Sequence, residues 1–225
     1  MRVLLFGASG MIGQGVLREC LLAPDVTEVV SVVRAATPAA TKLREIVAAD
    51  MYDLTPIKDQ LRGIDACFFC LGVSSAGMNE ADYRHVTYDL TLHAARVLHE
   101  VSPGATFIYV SGRSTDSTEK GSSMWARVKG KTENDLLGLF SNAVMFRPGV
   151  IRPLHGIKPK SKAYRVAYAL LWPAVPVLQM MFPNDIATTE GIGRAMLEVA
   201  RHGAPQKILE SQALIELGRK GAAAS

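Results

Sequence analysis

Gly7, Gly10 and Gly13 are the first residues whose type and spacing imply chemistry. They form G-x-x-G-x-x-G in FGASGMIG, between a short apolar run, RVLLF, and residues 11–22, where apolar side chains recur at helical spacing. A strand that turns abruptly into a helix leaves the helix's first N–H groups without partners, and these face whatever occupies the turn. A diphosphate suits that place. Glycine permits the tight turn, the close approach of backbone to ligand, and the packing of helix on strand with no side chain between. Ser9, Met11 and Ile12 complete the loop. With a strand before it and a helix after it, the motif reads as a dinucleotide-binding loop.

Two further positions bear on the nucleotide. Arg34 ends a second apolar run, VTEVVSVVR (26–34). A carboxylate there would accept bonds from the adenosine ribose hydroxyls, whereas a guanidinium pairs with a 2′-phosphate. NADP(H) is therefore favoured over NAD(H). Asp50 ends a weaker run, REIVAAD (44–50), where a carboxylate could accept from the adenine amino group.

These residues need a scaffold. Further strands are expected at 65–72, 105–111 and 141–149, and helices at 79–101 and 122–140. In the first of these helices Ala81, Val86, Leu90, Ala94, Val97 and Leu98 share a face. Alternating strands and helices predict an α/β fold: a Rossmann-type, doubly wound parallel sheet with helices on both faces and a small C-terminal extension on the substrate side. The chain of 225 residues fits one domain, with residues 150–185 as an apolar substrate-side or interface segment within it. Residues 185–200 read as a solvent-facing amphipathic helix, and the small residues from Gly218 to Ser225 as a fraying tail.

A net charge of +4 with scattered Lys and Arg argues against a nucleic-acid partner. Cys67 and Cys70 form C-x-x-C, but on a strand, residues three apart face opposite sides, so no redox or metal pair is expected. The five histidines show no ligand spacing, and no metal site is read. The N-terminal apolar run is too short for a signal peptide, and three cysteines without framework spacing predict a reducing, cytoplasmic setting.

GASGMIG, VVR, CLG after the fourth strand, YVS at the fifth, a lysine-bearing helix and FRPGVIRP after the sixth together resemble the short-chain dehydrogenase/reductase superfamily. The glycine spacing and the RPG turn are similar to its extended or atypical, epimerase/dehydratase-like branch. The resemblance implies cofactor contacts at Leu71, Gly72, Lys129, Pro148 and Val150, and a small-molecule substrate. It also implies a Ser–Tyr–Lys site in which the tyrosine relays a proton while hydride moves to or from a carbonyl. Ser111, with Ser114 as rival, matches the serine, and Lys129 the lysine. Four residues before Lys129 stands Trp125, in the tyrosine's place. An indole N–H donates a hydrogen bond but does not ionise usefully. Arg113, Lys120, Tyr83 and His85 are substitute acids that no spacing argument separates. Ser111 and Lys129 remain the catalytic candidates.

Residues 166–184 carry no charge, but Pro173 and Pro176 interrupt them, which disfavours a membrane span. Closure over the substrate comes first. A homodimer contact or a peripheral membrane contact comes second. Three functions stay open: an NADP(H)-dependent oxidoreductase, a non-catalytic NADP(H)-binding sensor or scaffold, and a sugar-nucleotide epimerase or dehydratase.

Overall fold

The structure, a computed structural model, describes residues 1–35, 40–157 and 186–223. Its centre is a parallel sheet. Strands β1 (Arg2–Phe6), β2 (Glu28–Val33), β3 (Leu43–Val47), β4 (Ala66–Phe69), β5 (Thr106–Val110), β6 (Val144–Arg147) and β9 (Ile208–Glu210) lie in the order β3-β2-β1-β4-β5-β6-β9. Their continuous apolar runs suit burial on both faces. Leu4, Phe6, Cys67, Phe69, Phe107, Tyr109 and Met145 point into one core. Val3, Leu5, Ala66, Phe68, Ile108, Val144 and Phe146 point into the other.

Helices α3 (Leu90–Val101) and α4 (Met124–Leu139) cover the first face. Helices α1 (Met11–Leu22), α5 (Thr189–His202) and α6 (Ser211–Ala223) cover the second. Cys67 sits in the first core and Cys70 packs against the second, so the two thiols lie on opposite faces as expected. Burial raises both thiols well above their usual range. Among the described residues, no group of three or more His, Cys, Asp and Glu is placed to hold a metal ion, and no helix is long and apolar enough to cross a membrane.

Strand order reverses between β1 and β4, the point where ligands of such sheets bind, outside the strands' carboxyl ends. Gly7 follows one of these strands and Leu71 the other.

The strands are shorter than the apolar runs that announce them. The third ends at Val47, so Asp50 lies three residues beyond it, in a loop, and does not terminate the strand. The helix expected over 79–101 is α2 (Glu80–Arg84), one wide π-turn (His85–Asp89) and α3. Thr91 in this stretch donates its hydroxyl back to the Thr87 carbonyl, a bond that loosens a helical turn. Residues Val150–Arg152 (β7) pair with Ile186–Thr188 (β8) in a separate parallel ladder. The apolar stretch 166–184 lies outside the described residues.

Two expectations at the C-terminus are corrected. Helix α5 is not merely solvent-facing, and the residues from Gly218 to Ala223 do not fray: they complete α6. A β-carbon on Gly15 would lie 2.6 Å from the Thr189 carbonyl oxygen, one on Gly193 2.8 Å from Glu19 Cγ, and one on Gly218 2.5 Å from the Gly191 carbonyl oxygen. The small residues are there because α1, α5 and α6 touch backbone to backbone. Replacing Gly15 with Val should therefore lower stability by about 1–3 kcal/mol, the usual range for overpacking, read as a lower urea midpoint with unchanged slope.

Candidate functional site

The turn between β1 and α1 is shaped by the space its glycines leave. Gly7 has φ +82°, a left-handed conformation. A β-carbon there would lie 2.7 Å from the Leu71 amide nitrogen, so the loops after β1 and β4 touch. A β-carbon on Gly13 would stand 2.0 Å from the Gly7 carbonyl oxygen. Gly10 donates its N–H to that same oxygen at 2.9 Å and caps α1 with no side chain. The amides of Met11, Ile12 and Gly13 have no helical carbonyl to bond, and the first turn of α1 carries no acidic residue. A bare, positively polarised helix end is thus open to an anion. Ser9 is exposed beside it. A dinucleotide's diphosphate fits this cradle.

The residues read for the adenosine end fan out from the same edge. Arg34 is exposed just past β2, and Gly72 is exposed past β4. Asp50 is exposed and accepts the Tyr52 amide on Oδ1 at 2.8 Å, which fixes its orientation. On the other side of the switch point Pro148 is buried and its carbonyl accepts the Arg113 amide at 2.9 Å. Val150 is 53% exposed.

Trp125, Lys129 and Glu133 follow one another at four-residue spacing along α4, which places them on one stripe. Lys129 donates from Nζ to the Ser111 carbonyl at the carboxyl end of β5, so the structure does bring the two catalytic candidates together. Burial pushes the Lys129 ammonium down from 10.5 to about 8, with the carboxylate of Glu133 opposing that shift. The Ser111 hydroxyl points inward. It donates to Glu133 Oε1, with the Phe146 carbonyl at 3.2 Å.

Glu133 is fully buried and held by Arg147, whose Nε lies 3.1 Å from Oε1. Arg147 also reaches Ser117 in the loop after β5 and Glu210 at the end of β9. Both oxygens of the glutamate accept from the guanidinium, so the two groups are buried as a pair. Sequence reading missed both. The signal was present in the glutamate four residues beyond Lys129 and in the charged residue closing the apolar strand VMFR.

The loop from 112 to 123 is pinned rather than free. Asp116 accepts the Gly121 amide at 2.6 Å and the Thr118 hydroxyl at 2.6 Å. Its carbonyl oxygen would be 1.8 Å from a β-carbon on Gly130, so the loop lies directly on α4. Of the substitute acids, Lys120 is exposed on this loop and the Arg113 side chain lies near Gly149. His85 is exposed, stacked on Tyr52 at 4.3 Å and 3.3 Å from Asp89. Tyr83 is buried in α2. Ser114, the rival serine, is exposed with φ +67°.

Two outcomes follow. Glu133→Ala strands a buried guanidinium, so it should cost about 3–5 kcal/mol in equilibrium unfolding. Lys129 is protonated below about pH 8 when folded, but up to about 10.5 when unfolded. Its burial therefore costs stability at neutral pH, and that cost fades as pH rises through this window. Lys129→Met should be more stable than wild type at pH 7, with the difference shrinking between about pH 8 and 10.5, measured by denaturant midpoints.

Comparison with known proteins places this geometry. Residues 3–120 match the NAD dependent epimerase/dehydratase family. The chain is 30% identical over 158 residues to "Protein fmp52, mitochondrial" of Emericella nidulans, a match covering 66% of each protein. It is 28% identical over 166 residues to the Saccharomyces cerevisiae protein of that name, covering 72% of this chain and 69% of the relative. The match thus spans just under two thirds of the first relative's length. These relatives are named as mitochondrial, which overturns the cytoplasmic expectation. Reduced cysteines report a redox setting and do not name a compartment.

Among solved structures, MoeE5 in complex with UDP-glucose and NAD superposes with a TM-score of 0.69 at 18% identity, over 93% of this chain and 75% of that one. A Saccharomyces cerevisiae short-chain dehydrogenase/reductase gives 0.64 at 17%, over 96% and 98%. The Bordetella bronchiseptica enzyme WbmF in complex with NAD+ gives 0.67 at 15%, over 99% and 77%. With its Rossmann-like sheet and glycine cradle, the chain belongs to the NAD dependent epimerase/dehydratase family.

Proposed function

We propose that this chain is an NADP(H)-dependent oxidoreductase acting on a small carbonyl or alcohol. The observation that carries the reading is the bare glycine cradle at the switch point, with Arg34 at the end of β2 on one side and the Lys129 ammonium at the end of β5 on the other. The bound dinucleotide supplies or accepts the hydride. Gly7, Gly10 and Gly13 make room for its diphosphate, and the amides of Met11 and Ile12 bond it. Arg34 pairs with the 2′-phosphate, Asp50 and the Leu71–Gly72 backbone flank the adenosine, and Pro148 and Val150 border the nicotinamide end. Lys129 holds a ribose hydroxyl.

Two of the solved structures named above, MoeE5 and WbmF, hold NAD, so the choice of NADP(H) rests on the charge of Arg34. The relatives' names favour a mitochondrial setting.

A second reading, a dinucleotide-binding protein without turnover, is favoured by one observation. The Ser111 hydroxyl spends its proton on Glu133, and Trp125 stands where the resemblance expects an acid.

Two experiments test these readings. Arg34→Ser should weaken NADPH binding about tenfold or more, the worth of one charge-assisted contact, and leave NADH affinity unchanged. Equal loss for both dinucleotides would contradict the NADP(H) assignment. Wild type should reduce a simple quinone with NADPH. Turnover appearing only in Trp125→Tyr would favour the binder.

A further inference from the structure

With a tryptophan in the tyrosine's place, the proton for the substrate oxygen needs another source. We propose that Lys129 is that proton donor, with Glu133 as the residue that positions it by holding Ser111, on whose carbonyl the ammonium rests; this rests on the oxidoreductase reading above.

The geometry narrows the choice. Lys129 lies one helical turn from Trp125 on the same stripe of α4, and its Nζ reaches the carboxyl end of β5. Among the described residues its hydrogen bond goes to the Ser111 carbonyl. An ammonium carries three N–H groups, so that bond anchors one and leaves two for other acceptors. Ser111 is not the donor, because its one hydroxyl proton goes to Glu133. Glu133 does not face the crevice either: it is fully buried, with its oxygens taken up by Arg147 and the Ser111 hydroxyl.

Among the described residues, the charged and titratable groups around Lys129 are Glu133 one turn along α4, Arg147 from β6 beyond it, and the buried Tyr109 of β5 on the Glu133 side. Burial favours loss of the proton and Glu133 keeps the amine from losing it too early. An acid poised near the working pH is the effective kind.

The step balances. The carbonyl carbon takes hydride from the reduced dinucleotide, the C=O π pair moves onto oxygen, and that oxygen takes a proton from Lys129 Nζ. The neutral amine regains a proton from water. In the alcohol-oxidising direction the neutral amine is the base.

The test uses wild type, Lys129→Met, Lys129→Arg and Glu133→Gln, with NADPH and a small quinone. Quinone reduction by wild type should fall as pH rises through about 8. Lys129→Met should lose ~10²-fold or more in kcat while still binding NADPH by fluorescence. Lys129→Arg should move the falling limb to higher pH. The second readout is independent of turnover: NMR titration of the Lys129 amine should give a midpoint near 8 that drops in Glu133→Gln. Turnover that survives in Lys129→Met with an unchanged pH profile overturns the assignment alone. A lysine midpoint unmoved by Glu133→Gln overturns the role of Glu133. NADPH binding without any turnover by wild type overturns the oxidoreductase reading and the proton assignment together.

Discussion

A β-carbon at Gly13 would sit 2.0 Å from the carbonyl oxygen of Gly7, and one at Gly7 would meet the backbone after β4 at 2.7 Å. Everything else at this end of the sheet depends on that crowding. The first helix comes so close to the first strand, and the first strand's loop so close to the fourth's, that only hydrogen fits between them. The same closeness points the amides of Met11, Ile12 and Gly13 at the crevice where strand order reverses. A side chain in the loop would both push the helix away and fill the space an anion needs.

The opposite wall is built by charge. Ser111, Glu133, Arg147, Ser117 and Glu210 join β5, α4, β6, the loop after β5 and the end of β9 in one hydrogen-bonded set. A buried ion pair adds little net stability, but it fixes which group faces which, since any rearrangement strands a charge. Ser111 is drawn inward, and Lys129 is left at the rim of the sheet with its ammonium partly stripped of water. Trp125 stands one helical turn before Lys129, and the hydrogen bonds of Ser111 and Lys129 run to Glu133 and to the end of β5.

Much of this is legible in the amino-acid sequence alone. The glycine loop, the parallel α/β sheet and helices α1 and α4 follow from runs and spacings that local physics dictates. In the folded chain Ser111 and Arg147 follow Tyr109 and Met145 by two residues, so strand alternation turns them to the face that α4 covers. Other features depended on distant partners. The glycines of α5 and α6 look like weak helix positions until the helices they touch are known. The π-turn needs one extra residue per turn, which an apolar stripe hides. Asp50 seemed to end a strand because the apolar run outlasts the ladder. Glu133 carries no signal of its burial in the local sequence, because its partner Arg147 lies on another element.

The claim beneath all of this is that a dinucleotide's diphosphate rests against the amides that open α1. Hydrogen–deuterium exchange of the wild-type protein with and without NADPH tests it most directly. The account predicts that exchange slows in residues 7–13 and in the loop after β4. Saturating NADPH and NADH that leave residues 7–13 exchanging as in the free protein would contradict it.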